Sequence, residues 1–352
     1  MTIIVTIAAM ALLMVAVAQF VRLRAKRRLL RGGRVVQTSR GPVEYAVVGS
    51  GPPVVVLHGG AGGWDQGVAL AVSLLAPTDQ RDCVDYHHAL AHGGELLRHR
   101  FTVIAPSRVG YLRTPLTTGR TPAEGADAVA ALLDELGIGN AVVIGVSGGG
   151  PTALQFALRH PDRTSALVMV AAIARRHVQP SQTTESIAGR IIFARGFGWL
   201  LDLFYAAAIL YGAIRPLSAA KHLLLATETL DKTGIRSRLE TIRRHPDQLR
   251  WMRGLLQSGY PLSVRKTGLD NDLRQFAAIE DYPVARIACP TLVVHGRHDG
   301  NVPFDHAEFV ASGVPNARLV VAETCGHLIW MSEEEKQIRK AVIDFATTHA
   351  CA

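Results

Sequence analysis

The chain is poor in the devices that build small cross-linked or metal-held proteins. Its 352 residues include four cysteines, Cys83, Cys289, Cys325 and Cys351, far apart and never in C-x-x-C spacing. They imply neither a disulfide framework nor a thiolate zinc site, which suits a reducing compartment. H-E-x-x-H is absent as well. His88 and His92 would share a helical face near Asp85, but with no cysteine beside them no metal is expected. Acidic residues are missing before residue 35, where Arg22, Arg24, Lys26, Arg27, Arg28, Arg31 and Arg34 stand. Those seven, taken from the net charge of +9, leave +2 for the remainder, so no basic stripe is left for a nucleic-acid partner. With 48% hydrophobic and 19% charged residues, the composition is that of a globular protein with a large core.

Nothing basic precedes the apolar residues 3–21 except the amino terminus, and small cleavage-site residues do not follow them, so a secretory signal is not indicated. As a helix this stretch would run roughly 28 Å at about 1.5 Å per residue, close to the ~30 Å hydrocarbon core of a bilayer. Residues 1–34 are therefore expected to be a transmembrane anchor and basic juxtamembrane segment. The basic cluster after the span predicts a single-pass membrane protein whose catalytic domain faces the cytoplasm.

Beyond residue 34, short apolar runs alternate with helical patterns. Strands are expected at 35–38, 44–48, 54–57, 101–105, 142–144, 166–170, 291–295 and 318–321. A helix over 121–136 opens with the capping box Thr121-Pro122-Ala123-Glu124. Strands separated by helices predict a mostly parallel sheet with right-handed crossovers. The alternation stops between 175 and 281, where apolar and then amphipathic helical segments predict a helical cap over one end of the sheet. The expected division is a core of 35–174 and 282–352 interrupted by a cap of 175–281.

The chain is organised around residues 142–159, where a β-branched run, a glycine-rich turn holding Ser147 and a helical pattern follow one another. Gly145 and Gly149 give the turn G-x-S-x-G spacing, which lifts the serine hydroxyl to a helix N-terminus. Alone, such a turn suits a phosphate as well as a nucleophile. Three further segments follow strands: His58-Gly59-Gly60-Ala61-Gly62-Gly63, Gly296-Arg297-His298-Asp299 and Cys325-Gly326-His327. All would lie at carboxyl ends of parallel strands, where open α/β sheets bind ligands.

With these four motifs in order, residues 35–352 resemble the α/β-hydrolase superfamily. The resemblance implies Ser147 as nucleophile, His327 as general base and acid, and Asp299 as the group that orients the histidine, with Asp281, Asp305 and Glu323 as rivals for the last role. The N-H groups of Gly60 and Gly148 would form the oxyanion hole. The superfamily's haloalkane dehalogenases and epoxide hydrolases carry aspartate at the elbow, and its dienelactone hydrolases carry cysteine; this chain has serine. The glycine loop resembles that of proline iminopeptidases, but Ala61 replaces their proline and no tryptophan follows Ser147.

The reading is a cofactor-free serine hydrolase of a carboxylic ester, with a lipophilic acyl substrate expected from the apolar cap and the tether. Amide or peptide hydrolysis, carbon-carbon bond hydrolysis and perhydrolysis use the same triad and stay open. So does a non-catalytic membrane-tethered binding module.

Overall fold

Strand residues 54–57, 142–146 and 166–170 are apolar at every position because helices cover both faces of the sheet. The computed structural model describes residues 2–77, 86–187, 190 and 198–350. Its strands are β1 (Arg34–Thr38), β2 (Gly41–Gly49), β3 (Pro53–Leu57), β4 (Thr102–Pro106), β5 (Ala141–Val146), β6 (Thr164–Val170), β7 (Thr291–Gly296) and β8 (Ala317–Ala322). They form one eight-stranded sheet ordered β1-β2-β4-β3-β5-β6-β7-β8. β2 runs antiparallel to β1 and β4, and every pairing from β4 to β8 is parallel.

The two-residue side-chain period splits the apolar core into two layers. Val54, Val56, Val142, Ile144, Val168 and Val294 face one cluster, while Val55, Leu57, Val143, Leu167, Met169 and Val293 face the other. The first is covered by α2 (Trp64–Leu75) and the C-terminal helix, Glu335–His349. The second is covered by α4 (Pro122–Glu135), α5 (Gly150–Arg159) and the helix Asp305–Gly313. The capping box of α4 is present: Thr121 Oγ1 accepts from Glu124 N at 3.2 Å, and Thr121 N donates to Glu124 Oε2 at 2.9 Å. Between α2 and β4 lies α3 (Tyr86–Leu96), the helix that carries His88 and His92.

Between β6 and β7 the chain leaves the sheet for a run of helices: α6 (Ser181–Glu185), α7 (Gly198–Ile214), α8 (Pro216–Thr227), α9 (Lys232–Arg244), α10 (Pro246–Ser258) and α11 (Lys266–Ala277). Buried ion pairs attach them to the sheet-forming part: Arg265 donates from Nη1 and Nη2 to the two carboxylate oxygens of Asp65 at 3.0 and 2.7 Å, and Asp272 of α11 accepts from Arg108, which follows β4.

The first helix, α1 (Thr2–Gly32), packs its last turns onto the domain. Leu29 is buried with Trp64, Val68 and Ala105, and Ala25 with Tyr111, Tyr205 and Tyr260. The membrane span expected over 3–21 finds no support here: among the described residues no helix is long and apolar enough to cross a membrane. Side chains of residues 2–14, most of that stretch, lie outside the described residues. From Val15 onward α1 soon meets Arg22, Arg24 and Lys26, whose transfer into hydrocarbon is costly.

Candidate active site

Between β5 and α5 the chain reverses within three residues, and Ser147 pays for the bend with φ +50°, a left-handed conformation that L side chains seldom adopt. The flanking glycines are required by space. A Cβ on Gly145 would stand 2.7 Å from Ala153 Cβ, and one on Gly149 would stand 2.3 Å from Leu57 O. A hydrogen bond from Ile173 N to Ser147 O at 3.0 Å pins the turn from behind.

His327, in the loop after β8, reaches Ser147 Oγ with Nε2 at 3.1 Å and Asp299 Oδ2 with Nδ1 at 2.8 Å. Asp299 is buried in the turn after β7. Its Oδ1 accepts N-H bonds from Asn301 and Val302 at 2.9 and 2.8 Å. Its Oδ2 also lies 3.2 Å from His295 Nε2, so two imidazoles face one carboxylate. Burial alone would raise the Asp299 pKa. His327 and the His295 hydrogen bond outweigh it and hold the carboxyl well below the usual carboxylate range. An ionised Asp299 accepts from His327 Nδ1-H, which leaves Nε2 as the acceptor facing the Ser147 hydroxyl.

The rival acids stand elsewhere. Asp305 pairs with Arg175 and Glu323 with Arg297, and Asp281 is exposed.

The glycine loop after β3 lies beside the serine. A Cβ built on Gly148 would come 3.4 Å from Gly60 N, and one on Gly59 would come 3.3 Å from Ser147 Cβ. The N-H of Gly59 is committed to Gln66 Oε1 at 3.1 Å. Buried His58 folds over its own loop: Nε2 accepts from Arg108 N at 3.0 Å, so Nδ1 carries the proton and donates to Gly59 O at 2.8 Å. Burial, with the charge of Arg108, pushes the His58 pKa well below its ordinary value and keeps the ring neutral. Arg108 Nε also donates to His58 O at 2.8 Å, and Tyr111 Oη donates to Asp272 Oδ2 at 2.7 Å.

Sequence reasoning missed Arg108, Asp272, His295 and Glu228. Glu228, buried just beyond the end of α8, accepts from Gly326 N at 3.1 Å, one residue before His327. Backbone bonds Gly300 N to Thr227 O and Thr229 N to His298 O, both 2.9 Å, clasp the Asp299 turn from the same side. A glutamate more than ninety residues from its partner leaves no local signal; Arg108, directly after a strand, left a weak one.

Ser147 and His327 open into a cavity of about 250 Å³. Its walls are mostly apolar, with Val146, Ile173 and Trp330 from the sheet-forming part and Leu223, Trp251 and Phe276 from the inserted helices, and polar side chains such as Gln66, Gln179 and Asn301 among them. Trp251 and Trp330 stack across that boundary with centroids 4.9 Å apart. Among the described lining residues none is lysine or arginine. Of the histidine cluster weighed as a metal site, Asp85 lies outside the described residues. Among the described residues no three His, Cys, Asp or Glu side chains converge as metal ligands.

A family model described as alpha/beta hydrolase fold matches residues 52–334, and the chain belongs to that family. It is a hydrolase. It is 26% identical over 311 residues to the uncharacterized hydrolase YcgS of Bacillus subtilis (strain 168), covering 87% of this chain and 95% of that one. It is also 26% identical over 312 residues to a 2-hydroxy-6-oxo-6-phenylhexa-2,4-dienoate hydrolase of Comamonas testosteroni, covering 86% and 90%. Among solved structures, an alpha/beta hydrolase fold protein from Nakamurella multipartita superposes with TM-score 0.75 at 33% identity, covering 91% of this chain and 100% of that one. A thermophilic esterase from Thermogutta terrifontis shares the fold with TM-score 0.54 at 21% identity, covering 90% and 99%.

Proposed function

We propose that this hydrolase cleaves uncharged carboxylic esters with an apolar acyl group through a Ser147 acyl-enzyme. The observation that carries this reading is the hydrogen-bonded series Ser147, His327, Asp299 at the floor of a mostly apolar cavity with no lysine or arginine among its described lining residues. His327 Nε2 takes the Ser147 proton as Oγ attacks the acyl carbonyl. The oxyanion is held by the N-H groups of Gly148 and Gly60, since that of Gly59 is occupied by Gln66. The imidazolium, stabilised by Asp299, protonates the departing alkoxide, and water repeats the sequence to release the acid. The core is then 35–174 with 282–352, and the insertion 175–281 shapes the acyl site.

A second reading, carbon-carbon bond hydrolysis, is favoured by the relatives named as 2-hydroxy-6-oxo-6-phenylhexa-2,4-dienoate hydrolases. Their named substrate is a carboxylate, and the described lining residues offer it amide and hydroxyl donors but no lysine or arginine as an ionic partner. A panel of p-nitrophenyl esters of rising chain length, run beside that dienoate, decides between the two. Ester turnover that rises with chain length and is lost in Ser147→Ala is expected. Faster turnover of the dienoate, or ester turnover that survives Ser147→Ala, overturns the reading.

A further inference from the structure

α7 carries a single charged residue in seventeen, and that residue is hidden. Asp202 is buried, accepting from Arg22 Nε of α1 and from the N-H and Oγ of Ser263 at 2.8 and 2.6 Å. Leu201, Tyr205 and Gly212 form the buried side of the helix. The opposite side presents Trp199, Phe204, Leu210, Tyr211 and Ile214, each 42 to 66% exposed, with no polar residue among them but the tyrosine hydroxyl. Helices that border water carry polar residues on that face, and an apolar face of this length marks a contact with something other than water.

The neighbouring helix identifies the partner. α1 approaches Trp199 and Asp202 of α7 with Val15, Ala18 and Arg22, and exposes Val17 and Phe20 on the side turned away from α7. Arg24, Arg27 and Arg31 continue the same face at spacings of three and four. The stripe thus passes from apolar to basic along one helix, and all three arginines are exposed. Apolar side chains beside a row of guanidinium groups fit a bilayer edge, the first in the acyl-headgroup boundary and the second among lipid phosphates.

We propose that the exposed face of α7 and this stripe of α1 dock on the surface of an anionic phospholipid bilayer. The inference is independent of the reaction assigned above. Docking needs no span: α7 lies in the interface, its inner face packed on protein and its outer face on lipid. Tyr205, on the inner face, lines the catalytic cavity, so one helix, about 10 Å thick, separates bilayer from cavity.

Trp199 offers a direct probe, because Trp64, Trp251 and Trp330 are buried. The full chain is mixed with vesicles of phosphatidylcholine alone or with equal parts phosphatidylglycerol, floated on a density gradient, and read by tryptophan quenching with brominated acyl chains. Flotation with the anionic vesicles and quenching that disappears in Trp199→Phe are expected. Phe204→Glu with Leu210→Glu and Ile214→Glu, and separately Arg24→Ala with Arg27→Ala and Arg31→Ala, each weaken partitioning by about tenfold or more. Circular dichroism melting shows whether the variants are folded; if the glutamate set is not, the Trp199 quenching decides alone. Unquenched Trp199, or unchanged flotation of the folded α7 variant, overturns the proposal. A dimer by light scattering that the α7 substitutions split assigns the face to a second copy and overturns it too.

Discussion

Arg108 and Asp272, 164 residues apart, form a buried two-point ion pair, with Nη1 to Oδ1 at 3.0 Å and Nη2 to Oδ2 at 2.6 Å. The same guanidinium holds the carbonyls of His58 and Gly59. A carboxylate in the inserted helices therefore braces the loop proposed to bind the oxyanion. Asp272→Ala strands a buried cation and is expected to destabilise the protein by about 3–5 kcal/mol, measured by urea unfolding. Asp272→Asn keeps an acceptor and loses less. Equal losses in the two variants would show that Arg108 requires the negative charge and gains nothing from a neutral acceptor.

Ser147 is under backbone strain as well as at the centre of the site. Ser147→Ala is expected to lower kcat by about 10⁴-fold or more and to abolish fluorophosphonate labelling. Ser147→Gly is equally inactive but relieves the φ +50° conformation, so its urea midpoint should correspond to about 1 kcal/mol more stability than the alanine variant. Identical midpoints would mean that the turn stores no strain.

Glu228 is expected to position His327 through Gly326. In Glu228→Ala kcat should fall by about 10- to 100-fold with KM little changed, the mark of a displaced general base. Glu228→Gln retains an acceptor for Gly326 N and should recover most of the loss. A change confined to KM would place the effect in the cavity wall instead.

Acid sensitivity should come in part from His306. Burial, then the nearby His177, pushes its pKa down to about 4, and its Nδ1 accepts from Ala174 N at 3.1 Å. Below pH 6.5 the unfolded histidine binds a proton that the folded one refuses until about pH 4. Stability is therefore complete above pH 6.5 and declines as pH falls towards 4, by up to about 3 kcal/mol. His306→Gln, which keeps an acceptor, should flatten the decline of the urea midpoint across that window. His58 and His177, also shifted down, leave some slope in the variant. An unaltered slope would remove His306 from the account.

Most of the sheet was legible because each strand is a short apolar run bounded by Gly, Pro or polar residues. β4 is displaced by one residue and β6 begins two residues early, at Thr164. Ser147, Asp299 and His327 could be chosen from their order along the chain, and the structure holds them within hydrogen-bonding reach. Asp272 and Glu228 could not, because a buried acid within an amphipathic helical stretch looks like any solvated carboxylate until its distant partner is known. The C-terminal helix begins at Glu335, and Glu334 just before it accepts from Glu323 N and Thr324 Oγ1. Apolarity at the N-terminus suggested a span, whereas the described end of α1 serves as a packing element whose Arg22 closes the charge of Asp202.

Glu228 also limits how this chain can diversify. If the helices between β6 and β7 were an exchangeable cassette, a new set could be grafted from a relative to change the acyl site while the sheet kept the chemistry. Here the cassette owns an acceptor that the histidine loop depends on, together with two backbone bonds to the acid turn. A graft that omits residues 227–229 would inherit a new cavity and a loosened His327. Recombination across this boundary is viable only where the donor segment supplies a carboxylate at the same place.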